Sequence, residues 1–164
     1  MILSPDALSP LSKVFWLQLG TAVLSGGAIG VERQLRGKVA GVRTSILICL
    51  GTELFVAMGS SFPTEHADPT RVLGQVVTGI GFLGAGVIIS RQGRLVGVTT
   101  AALIWMLASL GSLIGLGYLG AALVITVVTL FVLTGIEKLD RFRDAAAKKR
   151  GSGSFTAETG EGEV

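Results

Sequence analysis

The stretch Gly79-Ile80-Gly81-Phe82-Leu83-Gly84-Ala85-Gly86 sets four glycines among eight residues, inside an apolar run. Gly79, Gly81 and Gly84 match the G-x-G-x-x-G spacing of a dinucleotide-binding turn. That turn needs a strand before it, a helix after it and an acidic residue about 20 positions on, and the sequence supplies none of these. On a helix, Gly74, Thr78, Gly81 and Ala85 line up as one stripe of small residues, and Gly79 and Gly86 as a second. In lipid, apolar burial gives little drive for helix association, and close backbone approach replaces it. The stretch therefore predicts a central membrane helix, touched on several sides. Gly26-x3-Gly30 and Gly111-x3-Gly115 offer matching small surfaces. A second use of the same glycines is local unwinding, which would offer carbonyls to an ion where they face protein or water.

Composition agrees with a membrane setting. The chain has 164 residues, a mean hydropathy of +0.68 and only 15% charged residues, where soluble domains average about 25%. A net charge of +3 and a pI near 9.4 could suggest a nucleic-acid partner. The basic residues sit at the ends of apolar runs, however, so the membrane explains them and nucleic acid is excluded. A single cysteine, Cys49, rules out an intrachain disulfide. The first apolar run lacks a basic leader and a clean cleavage site, and reads as a retained span.

A helix crosses a bilayer with about 20 apolar residues. Five runs qualify: Val14–Val31, Ser45–Phe62, Val72–Ser90, Val98–Gly117 and Tyr118–Ile136. The expected fold is all-α, a polytopic bundle of five transmembrane helices over residues 14–136, preceded by an outer segment, 1–13. The loops set its direction. Arg33, Arg36, Lys38 and Arg43 follow the first run, Arg91 and Arg94 the third, and a basic cluster from Lys138 to Arg150 the fifth. The intervening loops are acidic or uncharged. The positive-inside bias then places the N-terminus outside and the C-terminus in the cytoplasm. Residues 137–150 read as a basic juxtamembrane helix, and the small, polar stretch 151–164 as disordered.

Several polar residues stand out. Glu32 and Arg36 are i,i+4 partners if the first helix continues that far. Thr44 or Ser45 could cap the second span, and Thr99 and Thr100 the fourth. With Arg33 and Arg43, these groups fall at the cytoplasmic ends of three spans. Glu32, Arg33, Arg43, Thr44, Thr99 and Thr100 are thus expected to converge on one inner-face polar site, close to the last glycines of the third span. On the outer side, Asp68-Pro69-Thr70-Arg71 reads as a helix start, with Asp68 as N-cap. Nearby Glu65 and His66 make at most a weak metal pattern. Glu53 lies near the middle of the second span. A carboxylate there costs several kcal/mol if ionised, so it should face the interior or carry a proton. It reads either as a proton or cation site or as a hydrogen bond across helices.

With these residues in view, the chain resembles the membrane domain of the bacterial MgtC/SapB proteins. The resemblance rests on Glu32-Arg33, Ala40-Gly41-Val42-Arg43-Thr44, Asp68-Pro69-Thr70-Arg71, the run from Gln75 to Ile88, Thr99-Thr100-Ala101-Ala102 and Trp105. It covers roughly Leu17 to Ile136. It implies a five-span inner-membrane protein linked to magnesium homeostasis, acid stress and survival inside host cells. It also implies partners among membrane complexes, including the proton-translocating ATP synthase. Many members carry an ACT-like C-terminal domain, which this chain is expected to lack, and Glu53 departs from the small or apolar residue expected there.

Two functions compete. One is a regulator that works by helix–helix contact with itself, as a homodimer, or with a larger membrane complex. The other is a small cation transporter, with Mg2+ as the ion the family implies, using Glu53 or the Gly79–Gly86 segment. An enzyme is not expected, because no nucleophile, base and orienting group stand together.

Overall fold

The computed structural model describes residues 8–61, 69–91 and 93–151, with the backbone alone for 69 and 136–151. The elements are α1 (Lys13–Leu35), α2 (Val42–Ser61), α3 (Pro69–Gly86), β1 (Ile89–Arg91), β2 (Arg94–Val96), α4 (Val98–Gly115) and α5 (Leu119–Gly151). Residues up to Val127 form one compact unit, and those from Val128 a second. This is an all-α membrane bundle in which α1, α2 and α4 are long and apolar enough to cross a bilayer. Its lipid-compatible exterior carries large apolar side chains, with Phe82, Leu47 and Trp105 all exposed.

The helix ends are built by short-range chemistry. Ser12 caps α1, its hydroxyl accepting a hydrogen bond from Val14 N. α1 and α4 close in the same way. Gly37 (φ +63°) and Gly117 (φ +86°) adopt the left-handed conformation that a side chain disfavours. Lys38 N then donates to Arg33 O at 3.0 Å, and Tyr118 N to Leu113 O at 2.9 Å. These six-to-one bonds satisfy carbonyls that the helix itself cannot.

α2 is the central helix. Gly26 and Gly30 on α1 let that helix lie directly on it: a Cβ at Gly26 would stand 2.7 Å from Ser45 O, and one at Gly30 2.6 Å from Val42 Cα. On its other side, a Cβ at Gly111 of α4 would collide with the Thr52 hydroxyl and Cys49 O, and one at Gly115 would stand 2.6 Å from Glu53 O. The face that receives them includes Ser45, Cys49, Thr52 and Ala57, small side chains that leave the backbone within reach.

The expectation of a central third helix is therefore overturned. α3 is peripheral, and both glycine pairs thought to match it seat on α2 instead. Among the described residues α3 packs through one face, where Ile80 joins Ile104 and Ala108 of α4, flanked by Val76, Val87 and Ile48. Gly84, one turn on from Ile80, lies 3.7 Å from Ala101 O by the same measure. The glycines of α3 point to too many sides for one neighbour to meet them all. Among the described residues, a side chain at Gly74, Gly79, Gly81 or Gly86 would meet nothing within 4 Å.

α3 also stops short of the expected Ser90. After Gly86 the chain turns into a hairpin pairing Ile89 with Val96, Ser90 with Leu95 and Arg91 with Arg94. β-branched residues and the left-handed Gly93 (φ +75°) favour that outcome over another helical turn. Gly97 then starts α4 from φ +97°, pressed so closely on Val87 O that a Cβ would overlap it. Gly97→Ala is expected to cost about 2 kcal/mol or more, combining conformational strain with a clash against backbone. Gly93→Ala, which meets open space, should cost about 1 kcal/mol. Denaturant titration of the two variants in detergent checks the difference.

Candidate functional site

The sequence places six residues at the end of the bundle where α1 closes and α2 and α4 begin. The structure brings two of them into direct contact. Arg33, in the last turn of α1, is buried and donates from Nη2 to Thr100 Oγ1 at 3.2 Å. Thr100 is also buried, in the first turn of α4. Neutral hydroxyl and guanidinium thus join α1 to α4 in a low-dielectric setting, where such a bond is stronger than in water. Glu32 does not share it. It pairs with Arg36 one turn along α1.

The other three point elsewhere. Arg43, Thr44 and Thr99 are exposed. The expected threonine caps fail for a geometric reason. α2 begins at Val42 and α4 at Val98, so Thr44, Ser45, Thr99 and Thr100 lie within the helices, past the capping position. Val42 N, at the start of α2, takes Gln34 Oε1 as acceptor at 3.4 Å. The N-cap of α4 is Gly97, which offers no side chain.

Of the outer cap, Arg71 is exposed on α3, while Asp68, Glu65 and His66 lie outside the described residues. The glycine segment divides: Gly84 is buried against α4, and Gly79, Gly81 and Gly86 are open.

Glu53, on the helix that α1 and α4 clasp, is 2% exposed, its backbone oxygen lies against Gly115 of α4, and its Oε2 has no hydrogen-bond partner among the described residues. Around it, Thr52 Oγ1 bonds back to Ile48 O at 2.8 Å, and Cys49 Sγ donates to Leu107 O at 3.3 Å. Sequence reasoning passed over Gln18, which is 1% exposed and donates from Nε2 to Ile114 O at 3.1 Å across to α4. The signal was available. Gln18, Ala22, Ser25, Gly26, Ile29 and Arg33 are all buried on α1, at the spacing of a single helical face.

Among the described residues no three His, Cys, Asp or Glu side chains group together. They therefore form no cage of protein carboxylates for Mg2+, which prefers six oxygen ligands at near-octahedral angles.

A family model described as the MgtC family matches residues 19–142. The chain is 43% identical over 136 residues to the putative magnesium transporter YhiD of Escherichia coli K12, covering 79% of this chain and 63% of that protein. It is 41% identical over 134 residues to protein MgtC of Brucella abortus, covering 82% of this chain and 56% of that protein. To protein MgtC of Salmonella typhimurium it is 44% identical over 114 residues, covering 70% and 48%. The chain thus spans between 48% and 63% of the length of these curated relatives. No solved structure matches it.

Proposed function

Since the chain belongs to the MgtC family, we propose that it is a non-enzymatic, multi-pass protein of the bacterial inner membrane. It serves magnesium homeostasis through helix contact, first of all with a second copy of itself. The observation that carries this reading is the open side of α3. Among the described residues a side chain at Gly74, Gly79, Gly81 or Gly86 would meet nothing within 4 Å, although the Gly26–Gly30 and Gly111–Gly115 surfaces of α1 and α4 are used inside the bundle. Bare backbone facing lipid gains little there and can gain close dispersion contact from another helix. The magnesium link comes from the relatives, one of which is named a putative magnesium transporter.

The test is cross-linking in native membranes. The unaltered chain is expected to give a dimer. The double variant Gly79→Leu, Gly81→Leu should keep the monomer fold, lose most of the dimer, and fail to support growth in low magnesium. A chain that is monomeric throughout, or a dimer indifferent to both leucines, overturns the proposal. Capture of a larger complex such as ATP synthase through the same face, without a dimer, would replace the second copy as partner. Cation transport is the second reading, and it rests on the name of the Escherichia coli relative. Magnesium flux in proteoliposomes that disappears in Glu53→Gln would promote it.

A further inference from the structure

Among the described residues, the buried oxygens without a hydrogen-bond partner are Gln18 Oε1, Ser25 Oγ, both Glu32 oxygens, Ser45 Oγ and Glu53 Oε2, and two of these, Gln18 Oε1 on α1 and Glu53 Oε2 on α2, fall at one level of the bundle. Their proximity follows from the antiparallel register of the two helices. Gly30 lies on Val42, and Gly26 on Ile46, so each step of one turn down α1 is matched by one turn up α2. Two turns further on, Gln18 comes level with Glu53 and Leu54. α4 fixes the same level independently. Gln18 Nε2 binds Ile114 O, and the next residue, Gly115, rests on Glu53 O.

Both orphan atoms are acceptors when Glu53 is ionised. An amide oxygen and a carboxylate oxygen buried side by side repel, and each lacks the donor that burial demands. Among the described residues no cation faces them. Lys13 on α1 and Arg71 on α3 are exposed. The sides of α1 and α4 nearest the pair present Ala22, Gly111, Ile114 and Gly115, and α3 reaches α2 through Val72 at Gly59. Among the described residues, Cys49 lies one turn down α2, already bonded to Leu107 O, and Tyr118, three residues beyond Gly115, is exposed.

We propose that Gln18 and Glu53 form a proton-binding site between α1, α2 and α4, in which Glu53 carries the proton and Gln18 Oε1 accepts its hydrogen bond. A single proton satisfies both orphan oxygens, since a protonated carboxyl gains one O–H donor. A metal ion does not fit as well. Mg2+ keeps several waters and asks for six oxygens, whereas the walls here are helix backbones that glycines bring into direct contact. Gln18 is the positioning residue. Its Nε2 is anchored on Ile114 O, which leaves its oxygen free to accept. The inference stands apart from the choice of partner on α3.

Infrared difference spectroscopy on the full chain in lipid vesicles reads the proton directly. At neutral pH a protonated carboxyl stretch is expected, shifted in D2O and by 13C-labelled glutamate, and unmoved by added Mg2+ or Na+. It should be absent in Glu53→Gln and displaced to higher frequency in Gln18→Leu, where the hydrogen bond is lost. Isotope labelling of the unaltered protein keeps the test valid if either variant fails to fold. Absence of a protonated glutamate band at neutral pH overturns the proposal. So does its removal by Mg2+ or Na+, which would indicate a metal site, and so does a band that Gln18→Leu leaves in place.

Discussion

Leucine at Gly111 is expected to abolish the folded bundle. At that position even a methyl group would overlap the Thr52 hydroxyl and Cys49 O. One of those is backbone of the central helix and cannot swing aside as a side chain tip can. Overpacking a tight core typically costs 1–3 kcal/mol. Here relief requires α4 to move off α2, which also releases Gly115 from Glu53 O and Gln18 from Ile114 O. The expected loss is about 3 kcal/mol or more, the upper end of that range or beyond it. Gly74→Leu is the matched control. It adds the same side chain to a helix of the same unit, at a position with nothing within 4 Å, and should leave the monomer's stability within about 0.5 kcal/mol. Titration of both variants with SDS, followed by circular dichroism, checks the contrast. Similar midpoints for the two would show that the α2–α4 contact is looser than described.

The second large effect is at the buried Arg33–Thr100 contact. Thr100→Val keeps the shape of the side chain and removes the oxygen that accepts from Arg33 Nη2. Arg33 Nε already has no partner, so the variant strands more of a buried guanidinium. Hydrogen bonds to charged groups contribute about 1.5–3 kcal/mol, and a loss in that range is expected. Thr99→Val, at the exposed neighbour, should change stability by less than about 0.5 kcal/mol. Arg33→Met combined with Thr100→Val should recover much of the loss, because an apolar pair of similar volume often replaces a buried polar one at little cost. Equal midpoints for Thr99→Val and Thr100→Val would refute the structural role given to this bond.

Much of the architecture was legible because it follows from local chemistry. Long apolar runs become helices, and the positions of α1, α2 and α4 could be read within a few residues, as could the start of α5, which runs on as one helix through the stretch 137–150 expected as a separate juxtamembrane helix. Gly26–Gly30 and Gly111–Gly115 could be recognised as contact surfaces, since glycines four apart on a helix have few other uses in lipid. Their partner could not. The sequence advertises α3 through its glycines, while α2 wins both contacts with less conspicuous small residues, Ser45, Cys49, Thr52 and Ala57. Choosing between them depends on how helices are arranged in space, which periodicity does not encode. The polar residues divide along the same line. The Glu32–Arg36 pair is local and could be foreseen once α1 was taken to continue. The Arg33–Thr100 bond and the Gln34 contact at the start of α2 join different elements. The threonine caps misled because residue type suggests a cap, but only the backbone says where a helix begins.

The clasping of α2 between α1 and α4 has a consequence for how the chain is made. When synthesis has reached Ser61, α1 can already lie against α2, but the side of α2 that carries Cys49 and Thr52 has no neighbour until residues 98–115 arrive. During that interval the hydroxyl, the thiol and the flank of the Glu53 carboxyl must face acyl chains or be sheltered by the insertion machinery. That polar side of α2 is thus sealed only when α4 arrives, and α3 must pass into the membrane while leaving it free.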